Sequence, residues 1–128
     1  MSNEIGLAVA HFPIVIGDPK TNLASEERLA KKAAADGAEF ILFPEDALTG
    51  YPGAAGSAAK VALETNGPEI KCLGEIARGL KLTVASGFIE RNQGQLHSTH
   101  AIARPDGSIE FVRKRSCDGY DTNIGNNS

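Results

Sequence analysis

The sequence predicts an α/β fold in which a strand–helix–strand–helix start gives way to an antiparallel meander. Three observations carry this. Two apolar runs, EIGLAVAHFPIVI at 4–16 and EFILFPE at 39–45, flank a segment with helical spacing. A second helical segment follows at about 68–80. Beyond it, the strand-like runs LTVASGFIER, QLHSTHAIAR and SIEFVRK are separated only by NQG and PDG, both good hairpin turns.

The run 4–16 reads as a buried strand, rich in branched aliphatics and ended by GDP. Pro13 sits near its end, where a missing N–H is tolerated. His11 shares a face with Leu7 and Val9 and is expected to be buried and hydrogen-bonded. Residues 20–36 read as a helix with Leu23, Ala30 and Ala34 on one face and Ala33 beside them. Glu26 and Glu27 precede Lys31 and Lys32, an order that suits the helix dipole, and Glu27 to Lys31 is a favourable i,i+4 pair. Gly37 is the expected stop. The continuous apolar strand 39–45 fits a sheet covered on both faces, and its connection to the first strand predicts a right-handed parallel crossover. The small-residue loop DALTGYPGAAGSAAK is expected to be mobile at its tip. In the helix 68–80, Ile70, Leu73, Ile76, Ala77 and Leu80 recur at helical spacing. The segment RSCDGYDTNIGNNS is polar and reads as a disordered tail, 115–128.

A chain of 128 residues suits one domain and can bury a core without disulfides or metal. Its net charge of −3 gives no electrostatic reason to expect nucleic acid or anionic membrane as a partner. The N-terminus lacks the features of a signal peptide, and no apolar run approaches the roughly 20 residues that span a bilayer. A cytoplasmic protein is the expectation. Cys72 and Cys117 form neither a disulfide framework nor a metal cluster. His97 and His100, three apart on a strand, fall on opposite faces and cannot form a two-histidine metal site. Neither a metal nor a cofactor is expected.

Glu45 and Lys114 are the candidate site residues. Ligands of open α/β sheets sit beyond the carboxyl ends of strands, and Glu45 stands at that end of the run 39–44. Read alone, it is a surface carboxylate opening a loop. Asp46 beside it does not make a metal pair, because neighbours on extended chain point apart. Lys114 closes SIEFVRK, with Ile109 and Phe111 on one side of the strand and Val112 and Lys114 on the other. Read alone, it is a solvated strand end. Cys117 is a possible thiolate nucleophile but lies in the polar tail, with no strand to hold it. Cys72 reads as a small core residue of the second helix.

In chain order, NLASEERLAKKAAADGAEFILFPEDALTGYP and PDGSIEFVRK resemble the N-terminal half of the nitrilase superfamily, the carbon–nitrogen hydrolases. Those proteins have an N-terminal strand, a helix ending in a GA step, then FPE and TGY, and a PDG turn into a strand ending in RK. The resemblance covers about residues 5–114 and implies a partial nitrilase-like α-β-β-α sandwich. Residues 1–114 would then form the N-terminal part of a carbon–nitrogen hydrolase domain. It also implies hydrolysis of a small-molecule amide, nitrile or carbamoyl group by a Glu–Lys–Cys triad, without a cofactor. Glu45 matches the general base and Lys114 the lysine that stabilises the oxyanion. The family's cysteine lies well downstream, at the end of another strand in an ICYD-like context. RSCDGYD comes too early and lacks that strand; the RK-x-H continuation is broken at Ser116, and LHSTHAIA departs from the family's LYNTA-like strand.

The chain is therefore expected to be truncated before its nucleophile, to have little or no activity alone, and to pair with a second copy or a complementing chain. The alternative is a non-catalytic remnant acting as a binding or interaction module. A third reading is a small α/β binding domain whose likeness to the family is accidental. Two structural expectations follow: Glu45 and Lys114 converge, and part of the sheet exposes an apolar face.

Overall fold

The computed structural model describes residues 6–53 and 56–114. Five strands form one sheet in sequence order: β1 (Leu7–Val9), β2 (Phe40–Leu42), β3 (Thr83–Asn92), β4 (Gln95–Ala103) and β5 (Ile109–Arg113). β1, β2 and β3 run parallel, whereas β3–β4 and β4–β5 are antiparallel. The change of direction falls where the long connections end and short hairpins begin. At the first hairpin Gln93 and Gly94 both have positive φ (52° and 78°), the twist that lets a two-residue turn join right-twisted strands.

Among the described residues there are also three helices: α1 (Pro19–Ala35), α2 (Ala58–Val61) and α3 (Pro68–Leu80). Asp18 caps α1 by accepting from the Thr21 N–H at 3.1 Å, and Pro19 occupies a first-turn position that needs no donor. α1 and α3 cover one face of the sheet. Leu23, Ala30, Ile70, Leu73, Ile76 and Ala77 there meet Ile41, Val84, Phe88, Ala101 and Ala103 in one core. The opposite face is largely open: Leu7 is 63% exposed, Val9 68% and Val112 49%. Its far end is covered where Ala58 of α2 packs on Ile89 and Leu96. Among the described residues, no helix is long and apolar enough to cross a membrane.

β3 outruns its partner β2, and the chain satisfies its free edge piecemeal. Leu48 N donates to Gly87 O, Ile89 N donates to Thr49 Oγ1, and Leu63 pairs with Ile89 and Arg91. A buried edge cannot leave its amides unpaired, so the loop after β2 is drawn down onto β3.

Several expectations are corrected. The first strand is three residues long rather than spanning 4–16. After Ala10 donates to Leu42 O, the ladder ends, and β2 is itself only three residues long. His11 is exposed, because the face it shares with Leu7 and Val9 is the uncovered one. The loop after Glu45 is buried from Asp46 to Gly50, and it contains α2. Its tip residues Ala54 and Ala55, and the expected tail 115–128 with Cys117, lie outside the described residues. The helices, the three-strand meander and the exposed Glu27–Lys31 pair (3.7 Å) are as expected.

Candidate active site

The Glu45 carboxylate and the Lys114 ammonium meet at 3.2 Å. Three features of the backbone bring them together. Phe43 still bonds to the sheet through Ala85 O, and Pro44 then ends the strand, so Glu45 is the first residue free to turn outward. Lys114 follows β5, and its backbone N–H donates to Ser98 O at 2.8 Å, which anchors its Cα to β4. Side-chain alternation sends Ile109 and Phe111 into the core and leaves Val112 and Lys114 on the open face.

The turn carrying Glu45 lies directly on β3 at Gly87. A Cβ at this position would stand 2.9 Å from Glu45 Cα and collide with the Asp46 amide nitrogen. Glycine is thus required by close approach, not by its own dihedral angles. Asp46 has a left-handed φ of 57° and is buried, accepting from Ser98 Oγ at 3.2 Å. Glu45 and Asp46 therefore address different partners. Ser98 is the hub: its hydroxyl holds the turn beside Glu45 and its carbonyl holds Lys114. His100, the ladder partner of Gly87, places its Nε2 3.3 Å from Phe43 O.

These groups close one end of a trough of about 450 Å³ on the open face. Phe40, Leu42, Ala85, Ile102 and Val112 make its floor, with Ser98 and His100 as polar members. The Glu45 side chain is 52% exposed and that of Lys114 34%. An ion pair in that setting adds at most about 1 kcal/mol to stability, so stability does not explain why the two are brought together.

Two more carboxylates are buried on the helix-covered side. Glu26 of α1 accepts from Ser86 Oγ at 2.5 Å while its Oε1 has no partner, and burial pushes its carboxyl up to about 8, against the smaller lowering effect of Ser86. Glu90 of β3 is 1% exposed. Burial acts to raise its carboxyl, but hydrogen bonds from Arg113 and Thr99 and the Arg113 charge hold it below the usual carboxylate range.

Both candidate residues, Glu45 and Lys114, thus stand together. His97 and His100 point to opposite faces, as their spacing requires. Cys72 is half-buried on α3, on the other side of the sheet, and burial raises its thiol with help from Glu75 and Glu27. Among the described residues, no group of three or more His, Cys, Asp and Glu side chains is placed to hold a metal ion. Sequence reasoning missed Ser98 and Gly87. The departure at LHST marked the position of Ser98, and a glycine inside a strand run signals close backbone approach.

The carbon–nitrogen hydrolase family model matches residues 6–119. The chain is 27% identical over 125 residues to an arylacetonitrilase of Aspergillus kawachii, covering 90% of this chain and 38% of that protein. It is also 27% identical to nitrilase 1 of Arabidopsis thaliana, covering 84% of this chain and 36% of the relative. In structure it resembles the NitN amidase of Nesterenkonia sp. AN1, with a TM-score of 0.82 at 22% identity. That match covers 94% of this chain and 48% of the amidase. A CN-hydrolase superfamily protein of Xanthomonas campestris matches with a TM-score of 0.75 at 19% identity, covering 86% of this chain and 40% of that one. The chain spans less than half the length of each of these proteins.

Proposed function

The chain belongs to the carbon–nitrogen hydrolase family, and from that premise we propose that it carries the base and the oxyanion-stabilising lysine of an amide- or nitrile-hydrolysing site. The observation that carries this reading is the 3.2 Å approach of Glu45 and Lys114 at the mouth of an apolar trough. In the proposed chemistry a cysteine thiol gives its proton to Glu45 and attacks the carbonyl or nitrile carbon. The Lys114 ammonium meets the negative charge that develops on the substrate heteroatom. With an amide, Glu45 returns the proton to the leaving nitrogen; with a nitrile, the proton goes to the nitrogen of a thioimidate, and a water activated by Glu45 then adds and expels ammonia. Either route leaves a thioester, which a further water, its proton taken by Glu45, hydrolyses to the acid and the free thiol.

The nucleophile completes this triad, and no described cysteine stands at the pair, since Cys72 lies across the sheet. We assign residues 1–114 as the N-terminal part of the hydrolase domain. The site is read as completed by a second copy or a complementing chain in the cytoplasm. Purified chain is expected to turn over no simple amide, nitrile or carbamoyl amino acid. A cysteine not held in fixed geometry forfeits much of the orientation benefit, which can reach roughly 7–11 kcal/mol of barrier. Turnover that disappears in Cys117→Ala would overturn that expectation and make Cys117 the nucleophile.

The open face favours a second reading, an interaction module without catalysis. Exposed Leu7, Val9 and Val112 leave apolar surface of the kind that marks interfaces. A soluble monomer in sedimentation, with no apolar dye binding, would count against it.

A further inference from the structure

Arg113 and Lys114 are adjacent, and the strand sends them to opposite faces. Lys114 reaches Glu45 on the open side. Arg113 reaches Glu90 on the helix-covered side in a two-pronged contact, Nε to Oε1 at 2.7 Å and Nη2 to Oε2 at 2.6 Å. This contact crosses a whole strand, since β4 lies between β3 and β5. Thr99, the β4 residue directly opposite Arg113, adds a third donor to Glu90 Oε1 at 2.8 Å. We infer that Glu90, acting through Arg113, is a positioning residue that aims Lys114 at Glu45; this rests on the proposed role of that pair.

The physical case begins with the edge. β5 is a five-residue edge strand, and Lys114 is the residue just past its end, where strands fray. A backbone bond to Ser98 O holds the Lys114 amide, and the twist of the strand end sets where its side chain points. The guanidinium fork fixes that twist, because a planar, two-pronged contact specifies orientation as well as distance. Glu90 is a rigid anchor. It sits in the middle strands of the sheet, is 1% exposed, and accepts from three donors. A carboxylate buried this far leaves a large desolvation cost uncompensated if its cation departs, so Arg113 is held in place. The other ion pair of β5 behaves differently. Arg104 and Glu110 meet at 2.8 Å with both side chains about half exposed, and nothing buried depends on them.

The test reads Lys114 directly in the full chain with isotope-labelled lysine, following the Hε–Cε NMR signal that Lys114→Arg removes. In the wild-type background, Glu45→Gln is expected to shift this signal. In a Glu90→Gln background the same Glu45 change is expected to leave the signal unmoved, because Lys114 no longer points at Glu45. Arg113→Lys, which keeps the cation and loses the fork, is expected to reduce the response, and Glu110→Gln to preserve it. If Glu90→Gln does not fold, Arg113→Lys carries the test. A full response in the folded Glu90 and Arg113 variants overturns the inference, even if both lose stability, since that pattern marks a purely structural clamp. Absence of any response in the wild-type background overturns the pairing of Glu45 with Lys114, and the inference with it.

Discussion

Glu26 makes the stability of this chain fall as pH rises. The carboxyl is fully buried between α1 and β3 and ionises at about 8 when folded, against an ordinary value of 4.5. Between those limits the folded chain holds a proton that the unfolded chain has lost. The contribution is therefore complete below about 4.5, declines as pH rises, and is gone above about 8. The slope for one such proton is about 1.4 kcal/mol per pH unit, so the interval totals about 5 kcal/mol, an upper bound for a group that the fold can partly rehydrate. That is comparable with the whole stability of many domains. The perturbation is Glu26→Gln, a neutral side chain of the same shape, still able to accept from Ser86. Its amide adds donors where Oε1 already lacks a partner, at a cost of about 1–3 kcal/mol. Urea unfolding followed by circular dichroism at several pH values from 5 to 9 should give curves that cross. The wild type should be the more stable at pH 5 and the variant at pH 9. Parallel curves would refute the reasoning, because they would mean that Glu26 ionises alike in the folded and unfolded chains.

Gly87→Ala should cost about 1–3 kcal/mol by forcing the Pro44–Asp46 turn off β3; urea unfolding checks the cost, and a displaced Lys114 NMR signal checks the movement of Glu45. Asn22→Ala should destabilise more than Asp18→Ala, although both residues bond near the start of α1. Asn22 is buried and serves the Val15 N–H, the Val15 carbonyl and the Leu48 carbonyl, and each buried group left unpaired costs about 1–3 kcal/mol. The Asp18 cap serves exposed Thr21 groups that water can satisfy in its place, and equal midpoints for the two variants would contradict this ranking.

What was legible in the sequence shares one physical property: it depends on near neighbours. The helix 68–80 could be read because its apolar residues recur every three or four positions, and the meander because NQG and PDG are turns by their own chemistry. Glu45 and Lys114 could be placed at strand ends from the local pattern, but their pairing was implied by the FPE and RK motifs of the family resemblance. Glu26, Asn22 and Glu90 could not be read in this way. As residue types, all three resemble surface residues, and Glu26 was read only for how its charge suits the helix dipole. Their partners lie far along the chain: Ser86 is 60 residues from Glu26, Leu48 is 26 from Asn22, and Arg113 is 23 from Glu90. A buried polar group is stabilised by the partner that tertiary packing delivers, and local spacing carries no record of that delivery. His11 failed for the opposite reason. Its face was identified correctly, but a face is buried only if something covers it, and what covers a sheet is a property of the assembled layers. The same limit applies to Lys114. The strand pattern shows which way it points, but what holds its aim is a guanidinium one residue earlier, on the other side of the sheet.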